Sequence, residues 1–391
     1  LSLIGEKIVK LIKYVLLSTV AIAFCGLVWL SKLTPVVSQP TVQLQTQPPL
    51  EEVIPDDTVV KFQLQAIDTN QQPLTDAHLK VRILTPARNP WFTSDFPIVE
   101  GTELLELEAI ASQGNLEFEQ VLPIRGKYGV EVTVNPQVKG TFEAFDQSLS
   151  IIVPENAVKY RNLAILAIIL ILVGWGSGWI LGGDRTVGDG EIAPQPVRML
   201  LSTMSIIAIA VLLLVNGHAE VAASHVHTEV SAVPNSPPPI AQNQAIQVEL
   251  LGDIQAVVGN LATKGVKITN LNGEPMTDVL VNVESVALES DALMFAYQGA
   301  PDNTGKLTWQ EQFFDGAPHN VTAKVTPIAN ASHEFEPLQV SQEIEVEGIA
   351  PPLLVRFISL LYFTLIFVLG LIAGFWGRRH KTSYLKGSDN F

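Results

Sequence analysis

Three of the chain's seven histidines, His218, His225 and His227, lie in the stretch GHAEVAASHVHTEV at 217–230. Imidazole nitrogens suit copper and zinc. In an extended segment His225 and His227 project to the same side, because side chains alternate with period two. With Glu220 and Glu229 close in sequence, these residues form a candidate metal site for copper or zinc. A second reading needs no metal. The stretch follows an apolar run and precedes the Pro-rich VPNSPPPIAQ at 233–242, so it also suits a polar collar at the outer end of a membrane helix. His78, His319 and His333 stand alone in the sequence, and the latter two are expected at the surface.

Other catalytic signatures are missing. The sequence has no G-x-S-x-G, H-E-x-x-H, phosphate loop or dinucleotide fingerprint. Its carboxylates are scattered rather than paired for acid–base work. The chain is therefore expected not to be an enzyme. A net charge of −15 argues against nucleic-acid binding, and the single cysteine, Cys25, excludes an internal disulfide framework.

The elements that would hold these residues begin with four apolar stretches, at 8–30, 163–183, 199–216 and 353–376. The chain is 47% apolar and only 16% charged, and each stretch is near the roughly 20 residues needed to cross a bilayer as a helix. The first is expected to be an uncleaved anchor. Lys7, Lys10 and Lys13 precede it, and Arg378, Arg379, Lys381 and Lys386 follow the last. The positive-inside tendency then predicts a multi-pass protein of a bacterial-type inner membrane, with both termini cytoplasmic. A cytoplasmic linker at 184–198 and a tail at 377–391 complete that arrangement. Gly174, Gly178 and Gly182 lie on one helical face, as do Gly370 and Gly374, which predicts close helix packing, within the protein or against another membrane protein. Arg356 is expected to anchor at the outer boundary.

The segments 32–160 and 217–352 are then expected outside, each as a β-domain. They hold 9 and 4 Lys/Arg against 17 and 17 Asp/Glu, so the acid lies in these domains and the base flanks the helices. VVKFQLQAID, AHLKVRIL and YGVEVTVNP alternate with period two in the first segment, and KGVKITN, VLVNVESV and HNVTAKVTP do so in the second. Such runs with turns between them favour antiparallel sandwiches. The halves also match each other. NQQPLTD at 70–76 aligns with NGEPMTD at 272–278, GNLEF at 114–118 with GKLTW at 305–309, and Tyr128–Val134 with His319–Val325. The first half carries extra residues, placed in NPWFTSDFP at 89–97.

A strand, then N-x-x-P-[LM]-T-D, a second strand, G-x-L and Y-x-V-x-V-x-V resembles the YtkA-like and FixH-like immunoglobulin-type domains over about 80 residues per half. The resemblance implies a periplasmic, membrane-tethered module, some of whose relatives take part in copper handling or oxidase assembly. Four transmembrane helices bearing two tandem immunoglobulin-like sandwiches are thus the expected fold. The expected function is a scaffold contacting the lipid bilayer and another membrane or periplasmic protein. A metal-handling accessory protein is the alternative.

Overall fold

The computed structural model describes residues 39–111, 113–138, 140–183, 192–207, 209, 238–328 and 335–388, with side chains described as far as 379. The first half contributes β1 (Thr41–Gln47), β2 (Val59–Ile67), β3 (Ala77–Leu84), β4 (Glu103–Ala111), β5 (Asn115–Val121), β6 (Gly126–Pro136) and β7 (Phe145–Val153). The second contributes β8 (Ile240–Gln242), β9 (Ile246–Gly252), β10 (Gln255–Val257), β11 (Ala262–Asn270), β12 (Val279–Ala287), β13 (Ala292–Gly299), β14 (Lys306–Glu311), β15 (His319–Pro327) and β16 (Leu338–Glu347). Helix α1 (Ala157–Leu181) follows the first half and α2 (Leu353–Ser388) the second. A further helical segment covers 195–207.

Period-two alternation builds the core. In β2, Val60, Phe62, Leu64 and Ala66 are wholly buried, while Lys61, Gln63 and Gln65 face outward. Tyr128, Val130, Val132 and Val134 do the same in β6. The buried Tyr128 hydroxyl donates to the Ile124 carbonyl at 2.6 Å and accepts from its amide at 2.9 Å. A tyrosine that bonds back to the chain just upstream of its strand is a hallmark of immunoglobulin-like sandwiches.

The same turn forms in both halves. Asp68 Oδ1 accepts from the amides of Asn70 (2.7 Å) and Gln72 (2.8 Å). Asn270 Oδ1 accepts from those of Asn272 and Glu274, both at 2.9 Å. These side-chain-to-backbone bonds stabilise a turn without a ladder. The chain then passes over Gly114 or Gly305, at φ +66° and +71°, where a Cβ would strike the carbonyls of Ala66 or Ile268.

The two sandwiches are not separate beads. One sheet runs β1-β2-β5-β13-β12-β15-β16-β10 and the other β7-β6-β3-β4-β14-β11-β9-β8. The first half has a four-stranded layer, β7-β6-β3-β4, and a three-stranded layer, β1-β2-β5; the second half repeats both, as β16-β15-β12-β13 and β9-β11-β14, and extends them with the short edge strands β10 and β8. Each sheet joins the four-stranded layer of one half to the three-stranded layer of the other. The joins are equivalent: Phe118 to Gln120 pair with Phe295 to Tyr297, and Trp309 to Glu311 pair with Leu105 to Leu107.

The expected four-span architecture is corrected here. Among the described residues two helices, not four, are long and apolar enough to cross a membrane: Ala157–Leu181 and Leu353–Arg379, with mean hydropathies of 2.3 and 2.4. The expected span 8–30 lies outside the described residues, and of 199–216 only 199–207 and 209 are described. The multi-pass topology with both termini cytoplasmic and both domains outside is overturned with it, because it was built by counting four crossings. The bulk of the chain is instead a continuous double sandwich. Each helix also extends past its expected range at one end: α1 starts at Ala157, where Asn156 Oδ1 caps the Val158 amide at 2.9 Å, and α2 runs into the expected tail.

Candidate functional site

The helix-proximal end of the double sandwich gathers the most side-chain chemistry. There β7 and β16 hand over to α1 and α2, and the two halves meet. The main contributor is the β3–β4 connection, residues 85–102; the corresponding β12–β13 connection spans only 288–291. The additional length of the first half lies in this loop.

The loop touches both helices and the second half. Phe96 packs edge-on against Phe314 of the second half, with ring centroids 5.4 Å apart. Ile98 lies against Gly259. The Trp91 carbonyl accepts a hydrogen bond from Tyr362 of α2 at 2.9 Å. Asp95 forms an ion pair with Lys159 of α1. Arg125, ahead of β6, donates to the Phe92 and Thr93 carbonyls at 3.3 and 3.5 Å and pairs with Glu155 beside α1. At its base Thr85 Oγ1 donates to Val99 O at 2.6 Å, and Gln312 Nε2 of the second half donates to Thr102 Oγ1 at 2.9 Å. The loop is a strap across the junction.

Near it lie titratable groups from both halves, Asp56 at the surface and His319 within. Burial, with Asp315 and Asp57 nearby, pushes the Asp56 carboxyl up to about 6, against the pull of Lys159. His319 is not at the surface as expected; it is 1% exposed. It opens β15 in register with Ile344 and Ala287, on the inward side of the alternation. Its Nδ1 is 2.7 Å from the Ala317 carbonyl, its Nε2 is 3.6 Å from Asp315, and its ring packs on Phe313 at 4.7 Å. Burial holds its pKa below the usual imidazole value, against Asp315.

A second buried group went unremarked in the sequence. Lys264, fully buried, is in register with Trp309, and its Nζ donates to the Asp253 carbonyl. Burial lowers it to about 8 despite Glu311 and Asp253. Glu311 accepts from Trp309 Nε1 at 3.3 Å, and burial raises it to about 7. The alternation itself carried the signal, since Lys264-x-Val266-x-Ile268 and Leu307-x-Trp309-x-Glu311 each place one charge in an inward register.

His218, His225 and His227 lie outside the described residues. Among the described residues no group of three or more His, Cys, Asp or Glu is placed to hold a metal. The structure brings the glycines of the two helices together. A Cβ at Gly174 would strike Phe367 O, at Gly178 Leu371 O, at Gly370 Ile171 O and at Gly374 Trp175 O. Gly182 sits beside Phe375 O and Arg378. Contacts advance together along both helices, so α1 and α2 run parallel. Beyond the crossing, Arg378 lies over Trp179 and Arg379 over Phe375, at 5.3 and 4.3 Å from the ring centroids. The Arg356 Nε donates to Pro351 O at 2.8 Å.

No family model matches the chain, and no curated protein matches it. Among solved structures, the CARDB domain of a Pyrococcus furiosus protein, solved with di-metal ions, is 16% identical, with 28% of this chain and 99% of that one covered and a TM-score of 0.20. Invasin, a bacterial integrin-binding protein, is 10% identical over 78% of this chain and 39% of its own, with a TM-score of 0.19. Elastase-activated alpha-2-macroglobulin of Escherichia coli is 11% identical over 80% and 24%, with a TM-score of 0.22. Likeness at this level carries no argument about function. The class rests on the chain's own layers and tyrosine corner: an immunoglobulin-like β-sandwich. No match supports the narrower YtkA-like or FixH-like assignment.

Proposed function

We propose that this chain is a non-enzymatic protein-interaction scaffold, seated in a lipid bilayer by α1 and α2, which presents the polar faces of its double sandwich to a partner protein. The observation that carries this reading is the fusion of both halves into two continuous sheets above an interlocked helix pair. Equivalent joins related by a twofold are what a symmetric dimer has at its isologous interface. Here one chain supplies both sides, which supports an origin by internal duplication. The product is a broad, rigid platform.

A partner-facing surface is present on β1-β2-β5. Gln43, Gln65 and Asn115 form one rung across the three strands, and Gln45, Gln63 and Glu117 the next. With Pro73 and Gln113 they line a shallow concavity of about 250 Å³. Amides offer both donors and acceptors without a charge to desolvate, which suits the backbone of a partner's loop or strand. The buried ionisable groups Lys264, Glu311 and His319, by contrast, contact neighbouring protein groups.

The test is photo-crosslinking in native membranes, with a photoreactive residue at Gln45 or Gln63 and another at Asn282 on the outer face of the other half. A discrete protein adduct from the amide face, lost on Gln43→Lys with Gln65→Lys, is the expected result. Absence of any adduct from both faces would sink the scaffold reading.

A further inference from the structure

We propose that the tip of the β3–β4 strap, Trp91 and Phe92, is an interfacial anchor that enters the headgroup region of the bilayer beside α1 and α2 and fixes the height of the double sandwich above it. This rests on the reading of the two helices as bilayer-seated. Trp91 is 58% exposed and Phe92 71% exposed. The body otherwise treats its aromatics differently: Phe62, Phe118, Phe295, Trp309, Phe313 and Phe314 are all at 3% exposure or less. Two adjacent uncovered aromatics in such a body therefore need a covering phase.

Position names that phase. Tyr362, which bonds the Trp91 carbonyl, lies about two and a half turns into α2. Helical side chains lean toward the N-terminus, so the strap tip is level with the first apolar turns of α2, where Phe357 and Leu361 are 64% and 47% exposed. The tip thus meets α2 at Tyr362, itself 38% exposed, within the helix's apolar stretch. Arg161 and Arg356 lie in the first two turns of α1 and α2, where lipid phosphates would lie, and Tyr160 beside Arg161 is 61% exposed. Aromatic rings with polar edges collect at this depth, and basic stems reach the phosphates from it.

The tip is also formed in advance. Asn89 Oδ1 accepts from the amides of Trp91 and Phe92 at 3.0 and 3.3 Å, and Arg125 and Lys159 hold the base. Insertion therefore requires little further ordering of the loop.

The experiment uses the full chain with Cys25→Ser in vesicles of phosphatidylcholine and phosphatidylglycerol. A single cysteine at Phe92, Leu365 or Val138 carries an environment-sensitive fluorophore. Leu365 is an exposed position of α2, and Val138 is exposed at the far end of the sandwich. Lipids with nitroxides at the headgroup or deep in the acyl chains serve as quenchers. The expected result is a blue-shifted Phe92 probe that loses most of its emission to headgroup nitroxides, a Leu365 probe quenched by deep ones, and a Val138 probe quenched by neither. A Phe92 probe behaving like Val138 while Leu365 is quenched would overturn the anchor and leave the bilayer reading intact. An unquenched Leu365 would overturn the bilayer reading and the anchor together.

Discussion

At three equivalent positions the first half of the double sandwich holds a neutral side chain, and the second half an ionisable one. Where Phe62 stacks on Phe118 at 5.0 Å, the second half sets Lys264 beside Trp309. Where Gln120 sits in the β5 join, Glu311 sits in the equivalent β14 join. Where Tyr128 makes the tyrosine corner, His319 opens the matching strand. The frame is shared, and these differences cluster at the helix-proximal end, as does the strap found only in the first half. The comparison shows which features the fold requires and which were added: layers, turns and glycines recur, whereas the buried ionisable groups do not.

Making the second half resemble the first is the strongest way to break this comparison. Lys264 draws the buried Glu311 carboxyl down against the effect of burial, so at pH 8 Lys264→Phe leaves a buried carboxyl that must either stay charged without compensation or take up a proton. Removing one partner of a buried charge pair costs about 3 kcal/mol or more, whereas replacing both with apolar or neutral groups is often neutral. Denaturant titration of the full chain in detergent is expected to show that loss for Lys264→Phe and recovery to within about 1 kcal/mol on adding Glu311→Gln. Equal stability of the single and double variants would mean that charge is not the difference. The next effect comes from a feature the halves share. Gly178→Leu with Gly374→Leu places side chains against opposing backbone carbonyls, and overpacking of this kind costs about 1–3 kcal/mol. A lowered melting temperature is expected, and an unchanged one would show that the helices do not depend on this contact.

The frame was more legible in the sequence than the site. Strands at 59–68, 77–84 and 128–136 follow from alternation, and the N-x-x-P turns and Gly114 and Gly305 follow from backbone chemistry that is local in the chain. The edge-to-edge fusion was not legible, because strands that pair within one sandwich have the same alternation as strands that pair across two. Apolarity marked α1 and α2 but did not supply a count of crossings. His319 looked isolated because its neighbours Asp315, Ala317 and Phe313 act through a fold in the chain that spacing alone does not reveal. The strap was visible as extra residues, yet its contacts with Phe314, Gly259 and Tyr362 come from parts of the chain far away in sequence.

Smaller effects sharpen the asymmetry of the strap. Phe96→Ala and Phe314→Ala, alone and combined, form a cycle across the halves, and an edge-on aromatic pair of this kind is worth about 1 kcal/mol beyond its buried area. A coupling energy near zero would mean that the strap rests on the second half without binding it. The smallest expected effect is a pH dependence at Asp56. Its carboxyl is raised from 3.8 to about 6, first by burial and then by Asp315. The folded state therefore holds this proton more tightly than the unfolded chain. Its stabilising contribution is complete below about pH 4 and is lost as pH rises through about 6. Asp56 has φ +68°, a left-handed conformation that asparagine also tolerates, so Asp56→Asn removes the charge while keeping the backbone. The variant is expected to gain on the parent between pH 4 and 7. Partial solvent exposure screens the gain to about 1 kcal/mol or less. Parallel stability profiles for the two proteins would show that Asp56 does not meet Asp315 across the junction, and that the two halves touch there without sharing charge.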